Sequence, residues 1–446
     1  MQPVLAIDIG NAWIRVGIVG IDGTVLASAA RPIRTSMPND GWAEQDPEHW
    51  VATIVDLVQA VRRAYPTTYI HAIGVTGQSR VVLAQHQYAI VAADTRHLAI
   101  LDLPSTLEPT LAQRLDAQLV WASQAHWNPG PLHLSAHGWL LAYLGAEPVI
   151  DLYAAAQSGG LDRTTLRWRS DLSQDGWELP AIKVKPSVVG YLNTLGATLL
   201  DCDEGTPLVL APSGEAGLID AVFGRYVGSG LIQLGARVGI SVLTECDEPT
   251  HPTMTPYPAF PGFNVVEYMI SNPMAGLHWA RKMWMPSMST QEADLALIQS
   301  GAHVGTSQLV MAEIALTTFA LTGMTQQTQP WQGYLAAYEY LAFQLGDAAN
   351  QMGLTPDIVP LLGIPVTHPI WPQLLADVLN RPVSAIRPAV VSLYRCVDAI
   401  TQAFNWPSPA PLLGDGICIY PGPRAQIYAE QREHARAVRA HLHVLP

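Results

Sequence analysis

The sequence predicts an α/β protein of two large domains, on three observations. Its 446 residues exceed what one ordinary core organises, since domains usually run to roughly 100–200 residues. The N-terminal stretch reads strand, strand, strand, helix, strand. The same order returns in the second half.

The first copy opens with PVLAIDIG, WIRVGIVG and TVLASAA, short apolar runs separated by Gly-Asn and Asp-Gly, which is hairpin chemistry. DPEHWVATIVDLVQAVRRAY follows with apolar residues at helical spacing (Trp50, Ile54, Val55, Leu57, Val58, Val61), with Asp46 as N-cap and Pro47 in the first turn. IHAIGVTG then reads as a buried strand ending in a glycine turn. In the second copy GLIQLGARVGISVLTE is again strand, turn, strand; PWQGYLAAYEYLAFQLGDAANQM is a long amphipathic helix and PDIVPLLGIPV a strand. The boundary is expected between Gly224 and Gly230, giving domains 1–225 and 226–446. The proline-rich stretches THPTMTPYPAFPGF and NWPSPAP read as loops within domains.

Composition narrows the function. A formal net charge of -13 argues against nucleic acid, whose backbone demands a Lys/Arg surplus on one face. Charged residues are only 14% against 49% hydrophobic ones, which describes a globular chain and leaves a homodimer open. Cys202, Cys246, Cys396 and Cys418 stand far apart, as reduced thiols do. MQPVLAIDIG is no signal segment and no run of 18 apolar residues occurs, so a cytoplasmic protein with no membrane partner is expected. His133 and His137 have the i, i+4 spacing of a zinc pair, but no third ligand follows at motif distance, and a helix-surface pair is the expectation.

Several stretches together resemble the FGGY carbohydrate kinases, the family of xylulokinase and glycerol kinase. GWAEQDPEHW is similar to GWxEQDPxxxW, IGVTGQSR to IGxSGQMH, AIVAADTR to AILWNDTR, and DLYAAAQSGGLDRTTLRW to DxSDASGTxLxDxxxxxW. MAGLHWARKMW, WPQLLADVLNRPV and the closing IYPGPRAQIYAEQREHARAV extend the resemblance along the chain. It implies two ribonuclease-H-like domains of the actin and hexokinase type flanking a cleft. It also implies ATP-dependent phosphorylation, with Mg2+, of a pentulose or polyol. Such chemistry needs a phosphate cradle, a base for the hydroxyl proton and groups that align the two.

Position by position the catalytic motifs depart from the family. The first phosphate loop, DxGTxSxR, stands here as Asp8, Gly10, Asn11, Trp13 and Arg15, with Asp8 implied as the organiser of Mg2+ through water. Trp13 would place an apolar ring toward phosphate. The second, SLGTSG, stands as Gly235, Ala236 and Arg237, without the hydroxyl. The adenosine loop GGGxxSPLW keeps one glycine, Gly363. In GGGDNAAGAxG the aspartate is the base. Gly205 before it and Gly228 after it align without a gap, so that position is Gly214. Glu215 is the substitute, one residue or about 100° of helix away, with stabilisation of the helix N-terminus as its other role.

On the sugar side Trp42, Glu44, Gln78, Asp94 and Arg96 match the family, with Arg80 replacing its histidine. A surface ion pair is the other reading of Asp94 and Arg96. Two readings of the whole chain stay open: a kinase with a drifted site, Glu215 serving as its base, or a catalytically inactive sugar sensor, scaffold or partner subunit.

Overall fold

The structure is a computed structural model. It describes every residue except 1, 67–68, 85–86, 103–108, 173–175, 236–237, 249–253, 271–272, 301–306, 316–317, 364–367, 369, 411, 413–415 and 443–446. Among the described residues two large sheets dominate. The first has six strands in the order Ser187–Tyr191, Pro207–Leu210, Ile73–Gly77, Pro3–Ile9, Trp13–Gly20, Val25–Pro32. Its first three strands in sequence form two antiparallel hairpins, and Ile73–Gly77 and Pro207–Leu210 add in parallel.

The second sheet repeats that plan. Gly230–Leu234, Val238–Thr244 and Phe263–Ile270 run antiparallel, and Val359–Leu362 and Val383–Ala385 join in parallel. Two edge strands complete its seven, Ile417–Ile419 and Pro256–Phe260. The latter corrects the expected loop: PYPAF pairs with the neighbouring strand, and an edge tolerates prolines because one side of the ladder needs no donors.

Local chemistry explains the elements. Asp46 Oδ1 accepts from the Glu48 amide at 2.9 Å, capping helix Pro47–Ala64. That helix buries Trp50, Ile54, Leu57, Val58 and Val61 against the first sheet, each large side chain contributing about 1.5–3 kcal/mol. The long helix Pro330–Gln351 likewise sits in the second core.

The 225/226 division separates the two sheets, but two helices cross it. Helix Pro388–Phe404, from the second half, lies on the first sheet: Leu393, Cys396, Val397 and Ile400 bury among Val4, Ala6, Val19, Ala72 and Val209. In return Ile219, Ala221 and Val222 of helix Gly214–Phe223 pack with Leu231, Leu243 and Leu362 of the second half. The exchange ties the halves together beside the cleft. Among the described residues the four cysteines form no disulfide, and no helix is long and apolar enough to cross a membrane.

Candidate functional site

A cleft of about 300 Å³ opens where the two hairpins and the crossed helices meet. The first hairpin supplies Asp8, Gly10, Asn11 and Arg15, the end of the Ile73–Gly77 strand supplies Gly77 and Gln78, and the crossed helices supply Gly214, Glu215, Ser392 and Arg395. Gln233, Leu234, Gly235, Leu362 and Gly363 close it from the second sheet. The chain therefore brings both expected phosphate loops to one place. Ala236 and Arg237, and 364–367 and 369 of the adenosine loop, lie outside the described residues.

The first hairpin is closed by the Gly10 amide donating to Trp13 O at 2.9 Å. Trp13 itself is 43% exposed and is not part of the cleft lining, so its ring does not take the phosphate-facing place expected for it. Asp8 is buried, and both its oxygens accept hydrogen bonds, Oδ2 from Arg15 at 2.9 Å and Oδ1 from Arg395 at 2.8 Å. Gln45 braces the loop from behind: its Nε2 donates to Asn11 O at 2.9 Å, and its Oε1 accepts from Gln78 Nε2 at 2.9 Å.

At the position expected for the base the backbone is left-handed, with Gly214 at φ +52°. A Cβ there would stand 2.6 Å from Cε1 of Tyr153. The Tyr153 ring thus takes the space an aspartate at 214 needs. Its hydroxyl donates to Glu215 Oε2 at 2.9 Å and also bonds Glu267 Oε1. Gln157 Nε2 donates to Glu267 at 3.2 Å, and Arg80, itself at φ +57°, donates to Gln157 at 2.6 Å and lies 3.8 Å from Glu267. Glu215, the candidate base, is consequently one member of a buried polar network.

A phenol carries a single hydrogen, so two carboxylates on its oxygen require a proton on one of them. Burial pushes the Glu267 carboxyl up to about 7, against the opposing pull of Arg80, so below that pH Glu267 holds the proton. Because its folded value is raised above the ordinary one, the native state binds the extra proton. Its stabilising contribution is full below the ordinary carboxylate value and is lost as pH rises through about 7. Glu339, raised to about 7 by burial, acts in the same direction. Urea midpoints should fall from mildly acidic to mildly alkaline buffer, and Glu267→Gln should flatten that fall. An equally steep fall in the variant would remove Glu267 as its source.

The residues expected on the sugar side are engaged differently. Arg96 donates to Asp94 Oδ2 at 2.8 Å and to Glu44 Oε1 at 2.7 Å, and its guanidinium lies 4.2 Å from the ring centroids of both Trp42 and Trp121. Asp94 is 1% and Arg96 4% exposed, which overturns the surface-pair reading. Burial here is stable because the charges are paired and the cation is stacked. Of the residues expected on the sugar side, Gln78 lines this cleft, while Arg80 and Asp94 line a separate cavity of about 30 Å³.

The histidine pair also differs from expectation. His133 sits on strand Leu132–Ser135 and His137 on helix Ala136–Tyr143, both buried. His137 Nε2 bonds Asp151 Oδ2 at 2.8 Å, and burial pushes His133 down to about 4. Among the described residues no three His, Cys, Asp or Glu side chains cluster as a metal site.

Tyr153, Gln157, Glu267 and Arg395 are the site residues the sequence reading missed. Tyr153 had a signal: it stands where DxSDASGT has its first serine, a large ring gained opposite a side chain lost at Gly214. Glu267 and Arg395 had none, since neither falls in a motif.

Residues 3–100 match the model of the FGGY family of carbohydrate kinases, N-terminal domain. A glycerol kinase of Citrifermentans bemidjiense is 34% identical over 80 residues, a match spanning 18% of this chain and 16% of that protein. A glycerol kinase of Koribacter versatilis is 24% identical over 440 residues, 87% of this chain and 86% of that one. In fold, the xylulose kinase from Rhodospirillum rubrum superposes with a TM-score of 0.83 at 20% identity, covering 99% of both chains. The likeness is one of two ribonuclease-H-like domains, as the doubled sheet order indicates.

Proposed function

From the premise that the chain carries the N-terminal domain of the FGGY carbohydrate kinases and is homologous to glycerol kinases over most of its length, we propose that it retains the kinase fold and cleft without transferring phosphate. It works instead by binding a small sugar or polyol, as a sensor or partner subunit. The observation that carries this reading is the Tyr153 ring, packed where a residue at 214 would extend its side chain. Sugar phosphorylation needs a group that takes the hydroxyl proton as the γ-phosphoryl arrives. Glycine accepts no proton. Glu215, the nearest carboxylate, is turned into a network with Tyr153 and is 7% exposed.

The test is a coupled ATP-turnover assay with Mg2+ over a panel containing xylulose and glycerol. No transfer above the protein-free blank is expected. Turnover within the range of about 1–100 s⁻¹ usual for kinases would overturn the proposal. The second reading, a working kinase with Glu215 as base, has one observation in its favour: Glu215 does line the cleft. It requires that any turnover disappear in Glu215→Gln.

A further inference from the structure

A site for Mg2+ at a phosphate loop needs oxygen ligands free to face the ion. Such ions keep several waters and take one or two carboxylates together with the phosphates. The residues here do not fit that requirement. Asp8 is the carboxylate implied for the metal, and guanidinium groups hold both its oxygens, Arg15 at 2.9 Å and Arg395 at 2.8 Å. Asp8 is 1% and Arg395 6% exposed, so water does not compete freely for the contact. Glu215, the other carboxylate on the cleft wall, accepts from Tyr153. Arg15 belongs to the loop motif itself, so the added charge is Arg395: a dication or its waters approaching Asp8 would meet that guanidinium already seated on Oδ1.

We propose that the Arg395 guanidinium is a resident cation that replaces the divalent metal at Asp8, leaving this cleft unable to recruit Mg2+ through its phosphate loop. Arg395 rides on helix Pro388–Phe404, whose Leu393, Cys396 and Val397 are fixed in the first core. Its Nη1 also donates to Gly214 O at 3.3 Å, joining the missing base position to the displaced metal. The inference rests on reading this cleft as the counterpart of the kinase phosphate site. It extends that reading from the lost base to the lost ion.

Mn2+ is the probe, titrated by electron paramagnetic resonance into the full chain, Asp8→Asn, Arg395→Ala and the double variant. The wild type should bind Mn2+ no more tightly than Asp8→Asn. Arg395→Ala should gain a site at least about tenfold tighter, lost again in the double variant, since a freed carboxylate is what a hard cation requires. Wild-type Mn2+ affinity that drops about tenfold in Asp8→Asn, or an Arg395→Ala protein that gains no site, overturns the proposal. Should Arg395→Ala not fold, Arg395→Met keeps the aliphatic stem and takes its place. In either case, wild-type binding tighter than that of Asp8→Asn overturns the proposal. ATP turnover is read separately: activity would remove the functional proposal, whereas only these titrations remove this one.

Discussion

Gly214→Asp is expected to destabilise the protein by about 4 kcal/mol, the sum of overpacking at about 1–3 and backbone strain at about 1–3 kcal/mol, and to restore no phosphate transfer. The residue sits at φ +52°, and the new Cβ would press to 2.6 Å from the Tyr153 ring. Tyr153 cannot retreat cheaply, being fully buried and bonded to Glu215 and Glu267. Adding Tyr153→Ser should recover part of the loss, a coupling of about 1–3 kcal/mol in a double-mutant cycle read from urea midpoints. A Gly214→Asp protein as stable as the wild type would mean that the ring moves aside freely. The observation carrying the functional proposal would go with it.

Gly74→Val should cost about 3 kcal/mol or more, the upper end of overpacking penalties. Gly74 lies in the Ile73–Gly77 strand directly beneath the crossing helix. A Cβ there would stand 2.9 Å from both Cβ and O of Cys396. One of those contacts is backbone, so a rotamer change cannot relieve it, and the helix must lift from the sheet. Since that helix carries Arg395, lifting it should also break the contact with Asp8. Gly205→Ala is the control: its φ is +83° with nothing within 4 Å of the new Cβ, so only strain of about 1 kcal/mol is expected. Equal losses at the two positions would show that Gly74 matters for its backbone and not for the helix above it.

Much of the architecture is readable from local pattern. The Asp46 cap, Pro47 and the apolar face from Trp50 to Val61 specify their helix within a few turns, and each hairpin announces itself by apolar runs meeting at Gly or Asn. PYPAF was misread because prolines signal loops in a one-dimensional reading; whether a strand may hold them depends on its being an edge, which only the sheet order reveals. Asp94 and Arg96 were equally ambiguous. Two residues apart, they pair on a surface or in a core alike, and the stacked rings of Trp42 and Trp121 placed them in the core.

By itself, then, the sequence determined a doubled α/β plan, a position 214 without a carboxylate and a first hairpin turn that carries Trp13. These properties are local, written in residue type and short spacing. Tertiary structure decided what stands in the vacated places. Arg395 reaches Asp8 across 387 residues, Tyr153 meets Glu215 across 62, and Glu267 joins them from 114 residues beyond Tyr153. Contacts at such separations follow from how helices cross between two sheets and from which charges their packing buries together, and no periodicity along the chain encodes that.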